Sequence, residues 1–174
     1  MFKKIGFLIL TIIISSPVFT QEKIVLNPNV AHSSTEIWDF SVPNYNYSGL
    51  LNVQIQKNGS SGTLVVQIQT SDRSFYICGT LYLFLDDGNV ITCTDKNIRS
   101  VSEKMVQSLY VLTPKEINLL KKNKLTDVRF EIRGNQTQFS SPTGYFTANN
   151  SIRSFGLPDK SFNTVEQINQ LFKS

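Results

Sequence analysis

The sequence predicts a mainly β fold, a β-rich α+β domain built as an antiparallel meander sheet, a sandwich or a partly open barrel. One short helix is expected near 113–123 and a C-terminal helix near 163–173. Three observations predict this. Alanine is confined to Ala31 and Ala148 in 174 residues, which argues against a helix-rich chain. Isoleucine, valine, threonine, phenylalanine and tyrosine are plentiful instead, and these residues favour pleated sheets. Finally, Leu51-Asn-Val-Gln-Ile-Gln56 alternates apolar and polar residues strictly, and Leu64-Val-Val-Gln-Ile-Gln69 does so apart from Val65.

The chain opens with Lys3 and Lys4, an apolar run from Ile5 to Ile14, and then Ser15, Ser16 and Pro17. This order predicts a secretory signal peptide over residues 1–20, cleaved near Thr20. Residues 5–14 rise only about 15 Å as a helix, roughly half of a hydrocarbon core, so a membrane anchor is the poorer reading. Residues 21–174 are then expected to form a single β-rich domain, periplasmic or extracellular, with no integral membrane segment. Removal of Lys3 and Lys4 lowers the formal net charge of +4 by two. With no basic patch, a nucleic-acid partner is not expected.

The elements follow in order. Ile24-Val-Leu26 reads as a short strand or extended arm, and Ile37-Trp-Asp-Phe-Ser-Val42 as a strand ended by Pro43. Asn44 to Gly49 is a loop. Leu51–Gln56 and Leu64–Gln69 flank a Gly- and Ser-rich turn. Pairing Ile55 with Leu64, Val53 with Val66 and Leu51 with Ile68 puts these six residues on one face and the glutamines on the other. Phe75-Tyr-Ile77 leads through a bend at Gly79 into a second hairpin around Asp86-Asp-Gly-Asn89, with Leu85 expected opposite Val90. Residues 98–112 have mixed periodicity, and only Tyr110-Val-Leu112 reads clearly as extended. Thr113-Pro-Lys-Glu116 is a helix start: Thr113 caps, Pro114 suits the first turn and Glu116 completes a capping box. Ile117 and Leu120 make its buried stripe, with Lys121, Lys122 and Lys124 at its end. Val128-Arg-Phe-Glu-Ile132 alternates as a strand, Tyr145-Phe-Thr147 reads as a weak one, and Asn163 caps a final amphipathic helix with Val165, Ile168, Leu171 and Phe172 on one side.

Cys78 and Cys93 are the only cysteines, and an even count in an exported chain favours a disulfide. Such a bridge closes a loop of about 15 residues and would add roughly 3 kcal/mol. Counting from the turn, however, puts Tyr82 and not Cys78 opposite Cys93, so the bridge requires the chain to fold back at Gly79-Thr80. No catalytic constellation accompanies the thiols. The single histidine, His32, has no positioned nucleophile, and two cysteines with one histidine match no zinc spacing. Asp86-Asp-Gly-Asn89 is too short for a calcium loop and reads as turn chemistry. No cofactor or metal is therefore expected. Trp38 and Phe40 read as core. Tyr45, Tyr47 and Tyr145, set among loop residues, are the candidate ligand-binding aromatics.

Leu83-Phe-Leu-Asp-Asp-Gly-Asn-Val-Ile91, Tyr110-Val-Leu-Thr-Pro-Lys-Glu-Ile117 and Leu125-Thr-Asp-Val-Arg-Phe130 together resemble uncharacterised exported β-rich proteins of Bacteroidetes-type bacteria, over about residues 75–132. In those proteins a strand–turn–strand precedes a short helix and an Ile/Val-Arg strand. The resemblance implies export and a β-rich fold, and no activity. The reading that follows is a non-catalytic exported binding or structural module for a protein or glycan ligand. One alternative is a secreted hydrolase using carboxylates such as Asp39, Asp86, Asp87, Asp95 or Glu131. The other is an inhibitor or immunity-type protein that blocks an enzyme.

Overall fold

The computed structural model describes residues 33–151 and 161–173. The expected signal peptide, the arm at Ile24–Leu26 and His32 lie outside the described residues. Nine strands and two helices follow in order: β1 (Trp38–Ser41), β2 (Leu50–Asn58), β3 (Ser61–Gln69), β4 (Tyr76–Leu85), β5 (Val90–Cys93), β6 (Ile98–Ser102), β7 (Met105–Leu112), α1 (Pro114–Leu120), β8 (Leu125–Arg133), β9 (Gly144–Asn149) and α2 (Thr164–Leu171). The protein is mainly β, 49% strand against 11% helix, and its strands form a single antiparallel sheet that is not closed. Strand order is β5-β4-β8-β9-β1-β2-β3-β7-β6.

That order is a set of local hairpins joined by long-range pairings. Sequence neighbours pair in β1-β2-β3, β4-β5, β6-β7 and β8-β9. The pairings β3–β7, β4–β8 and β9–β1 then stitch these units together. The β9–β1 joint is the narrowest, a single pair of Ser41 with Asn149. The β2–β3 hairpin has the register its alternation demands: Ile55 with Leu64, Val53 with Val66 and Leu51 with Ile68.

One face of the sheet holds the core. Trp38, Phe40, Leu51, Val66, Tyr110 and Phe130 are buried there. Both helices pack on the same side, since Ile117 and Leu120 of α1 and Ile168 of α2 belong to the same cluster. The Thr113 cap carries the full capping box: its Oγ1 accepts from the Glu116 backbone N–H while the Glu116 side chain accepts from the Thr113 N–H. Asn163 likewise caps α2. Gln167 of α2 accepts from the Trp38 indole N–H at 2.9 Å and so fixes that helix against β1. Among the described residues, no helix is long and apolar enough to cross a membrane.

The two edge strands, β5 and β6, are consecutive in the chain and joined only by Thr94 to Asn97. The sheet must therefore curl until its edges meet at that corner. Side chains close the gap there in place of a backbone ladder. Ser108 Oγ and Arg99 Nε both donate to the Ile77 carbonyl, at 2.8 and 2.7 Å. The Gly79 N–H donates to Asp95 Oδ2 at 2.8 Å, and Arg99 is also ion-paired to Asp95. Gly79 has φ +69 and sits in a bulge, where β4 advances from Cys78 to Tyr82 while β8 covers only Glu131 to Arg129.

Two expectations need correction. In the β4–β5 hairpin Phe84, not Leu85, pairs with Val90, and Leu83 faces Ile91. The Gly88 N–H donates to the Leu85 carbonyl and the Leu85 N–H to the Asn89 carbonyl, with Gly88 at φ +85. A turn followed by a left-handed glycine adds one residue to the loop and moves the register by one. The cysteines, second, are both buried free thiols. Cys93 faces Leu81 and lies in the core, whereas Cys78 follows the inward-pointing Ile77 and pairs with Glu131 on β8. Side chains alternate across a strand, so the two thiols project to opposite faces and do not bridge.

Candidate functional site

The face of the sheet opposite the core is free of both helices. Across β5, β4, β8 and β9 its composition follows from alternation. Leu81, Leu83 and Leu85 point inward, so Tyr82 and Phe84 point outward. Val128, Phe130 and Ile132 point inward, so Asp127, Arg129, Glu131 and Arg133 point outward. Phe146 and Ala148 are buried on β9, which turns Tyr145, Thr147 and Asn149 outward.

Strand register sets these side chains in rows. One row runs Thr92, Tyr82, Arg129, Thr147. The next runs Val90, Phe84, Asp127, Asn149 and ends at Ser41 of β1. A third joins Cys78, Glu131 and Tyr145. Two rings on this side are braced by guanidinium groups: Arg129 lies over Tyr145 at 5.4 Å and Arg99 over Tyr76 at 5.3 Å. Asn149 Nδ2 donates to Asp127 Oδ1 across two strands, which holds the carboxylate and amide side by side.

A cavity of about 610 Å³ opens at the Asp127 end of the face, lined by Ser41, Lys124, Thr126, Asp127, Asn149 and Asn150 among others. Asn150 is held rigidly, donating to the Leu125 and Phe162 carbonyls at 2.8 and 3.0 Å. A second cavity of about 520 Å³ lies at the other end, between Tyr76, Arg133 and the loop before β9. The arrangement combines flat apolar rings, a positioned carboxylate–amide pair and hydroxyls from Ser41 and Thr126. It has the parts needed to hold a polar ligand by stacking and directed hydrogen bonds.

The three candidate tyrosines part ways. Tyr145 is 61% exposed on this face. Tyr47, 41% exposed, lies in the β1–β2 loop away from the rows. Tyr45 is 2% exposed and belongs to the core: its ring meets Phe146 edge-on at 5.3 Å and its hydroxyl donates to the Gln69 carbonyl at 3.0 Å. Burial pushes its phenol upward in pKa, so it is a structural hydroxyl and not a surface one.

The candidate carboxylates are all engaged. Asp39 accepts from Asn52, Asp86 from the Lys124 N–H, and Asp87 from Asn89. Only Asp95 and Glu131 come together, on either side of Gly79. Asp95 accepts the Gly79 N–H, and a Cβ at Gly79 would lie 2.9 Å from Glu131 Oε2. Each is paired with an arginine, Asp95 with Arg99 and Glu131 with Arg133. Among the described residues, no three His, Cys, Asp or Glu side chains gather as a metal site would require. Burial raises both thiols, Cys93 to about 12, which leaves them protonated and poor nucleophiles.

Sequence reasoning missed Tyr82, Phe84, Asp127, Arg129 and Asn149. The signal for the aromatics was present, because Leu81-Tyr-Leu-Phe-Leu85 alternates leucines with rings. The Asp127–Asn149 pair had none, since its partners come from different strands. No family model, no curated protein and no solved structure matches this chain.

Proposed function

We propose that the chain is an exported, non-catalytic glycan-binding module whose binding surface is the outward face of β5-β4-β8-β9. One observation carries this reading. Tyr82 and Phe84 on β4 and Tyr145 on β9 point outward on one sheet face, with Phe84 in the same row as the hydrogen-bonded Asp127–Asn149 pair that lines the 610 Å³ cavity. A sugar ring presents an apolar C–H face and a rim of hydroxyls. Aromatic rings take the first, and a carboxylate with an amide takes the second as acceptor and donor. The strands hold these groups in fixed rows, so little ordering entropy is lost on binding. The basic start and apolar run of residues 1–20 support export.

The test is a glycan array screen of the purified chain, followed by calorimetry on the best ligand. Tyr145→Ala and Asp127→Ala should each weaken binding about tenfold, equivalent to roughly 1.4 kcal/mol. Tyr47→Ala, away from the rows, should leave the affinity within twofold. Binding that survives both face variants, or no glycan binding at all, sinks the reading. A protein ligand on the same face would appear as the second outcome.

A further inference from the structure

Resting on that glycan reading, we infer that the ligand is an anionic linear polysaccharide bearing uronic-acid carboxylates, lying along β8 between the two cavities. The outward row of β8 alternates in sign: Asp127, Arg129, Glu131, Arg133. Each acid makes a contact within the protein, and Asp127 keeps acceptor sites for sugar hydroxyls. Asp127 accepts from Asn149, and Glu131 accepts from Arg133 Nε and Nη2 at 2.8 and 3.3 Å. The Glu131 side chain is only 13% exposed, against 61% for Arg133. Arg129 is exposed and has no carboxylate within ion-pair distance among the described residues; the Tyr145 ring alone braces it. Lys124 adds a third cation at the lip of the larger cavity, its ammonium donating to Ser161 Oγ at 3.0 Å.

The four charges of this row sum to zero and Lys124 makes the strip positive by one, with the Arg129 and Arg133 guanidinium groups reaching solvent while Glu131 stays 13% exposed. Guanidinium groups match planar carboxylates in geometry, and one stacked on a ring is already oriented. A neutral sugar can accept hydrogen bonds from these groups but gains nothing from their charge. Arg129 and Arg133 lie four residues apart on one strand, about 13 Å, which suits anionic groups repeating along an extended chain more than a single charge. A cavity at each end of the row gives such a chain room to enter and leave.

The experiment titrates the purified chain with a polyuronate, with the same polymer after its carboxyls are reduced to alcohols, and with a sulfated polysaccharide of similar length. The polyuronate should bind at least tenfold tighter than its carboxyl-reduced form, and its affinity should fall several-fold between 50 and 200 mM salt, as screening of about one to two ion pairs requires. Arg129→Gln and Arg133→Gln should each cut the preference for the charged polymer about threefold or more. Lys115→Gln, on the exposed side of α1, should keep it. Equal binding of the charged and reduced polymers overturns this inference and leaves the glycan reading standing. A sulfated polymer bound tenfold tighter than the polyuronate overturns the carboxylate assignment. Failure of every polymer to bind overturns the glycan reading itself, and this inference with it.

Discussion

Buried hydroxyls and thiols give single residues of this protein a pH signature. Burial raises the Cys93 thiol to about 12, and it also raises Cys78, Tyr45 and Tyr110. A raised acid pKa means the folded state keeps its proton after the unfolded chain has lost it. The stabilisation from these protons is fully present below pH ~8.5, where both states are protonated, and is lost as pH rises towards the folded values. Cys93, whose folded value lies well above that of an unfolded thiol, contributes a slope of about 1.4 kcal/mol per pH unit within its window. Urea midpoints should therefore fall steadily between pH 9 and 11. Cys93→Ala should lower stability by about 1–2 kcal/mol at pH 7 yet flatten the alkaline slope by one proton. A slope identical to wild type would show that the Cys93 thiol ionises equally in both states. The same burial separates the tyrosines. Tyr45→Phe removes the bond to the Gln69 carbonyl, about 1 kcal/mol, whereas Tyr45→Ala should cost about 3–5 kcal/mol as core loss. The corresponding loss at exposed Tyr145 should be within ~0.5 kcal/mol.

At the scale of elements, local pattern decided some strands and tertiary pairing the others. The β2–β3 hairpin was legible down to its register because one face is apolar, one is amide, and a slip of one residue would exchange them. The capped start of α1 was legible because Thr113, Pro114 and Glu116 each satisfy a particular backbone need. The β6–β7 hairpin was not. Ile98 and Leu109 form a pair on the outward face, so apolar residues fall on both sides and the alternation is lost. The β4–β5 register failed for another reason. The sequence Asp86-Asp-Gly-Asn89 marks a turn but does not show whether Gly88 sits inside a two-residue loop or adds a bulge beyond it. Burial of Leu83, Leu85, Ile91 and Cys93 on one face selects the bulge. That choice depends on Gly88 at φ +85, with nothing within 4 Å of a Cβ placed there. Gly88→Ala should therefore cost only the backbone strain, about 1–2 kcal/mol. Gly79→Ala, strained at φ +69 and also crowded by Glu131, should cost more. Paired urea melts check the order, and equal losses would remove the role assigned to the Glu131 contact. The outward face of β5-β4-β8-β9 was half legible by the same logic, since alternation along one strand exposes its rings while the partner rows on β8 and β9 depend on pairings that no local pattern encodes.

At the scale of the whole molecule, the open question for any curled sheet is what holds its two edges together. Here β5 and β6 meet at the Thr94–Asn97 corner without a backbone ladder between them. Arg99 carries most of the junction. It donates to the Ile77 carbonyl and to Asn97, pairs with Asp95, and covers the Tyr76 ring. Its side chain is 22% exposed and that of Asp95 15%, so the pair is shielded enough to exceed a surface ion pair. Arg99→Met keeps the aliphatic stem and removes the charge. It should destabilise by about 2 kcal/mol, from one lost charge-assisted bond to a backbone carbonyl and a carboxylate left short of a partner. The loss should also be local. Amide exchange should rise at Gly79 and through Ile98–Ser102, while β2 and β3 stay protected, because opening the junction frees only the edge strands. Uniform loss of protection across β2 and β3 would mean that the edges are held by the core beneath and not by the Arg99 junction. Unchanged exchange at Gly79 would mean that Asp95 alone secures the bulge. In the expected case the aromatic face on β4 and β9 loses its brace at Tyr76, and affinity for the proposed polyuronate ligand should fall with the same variant although Arg99 lies outside the row.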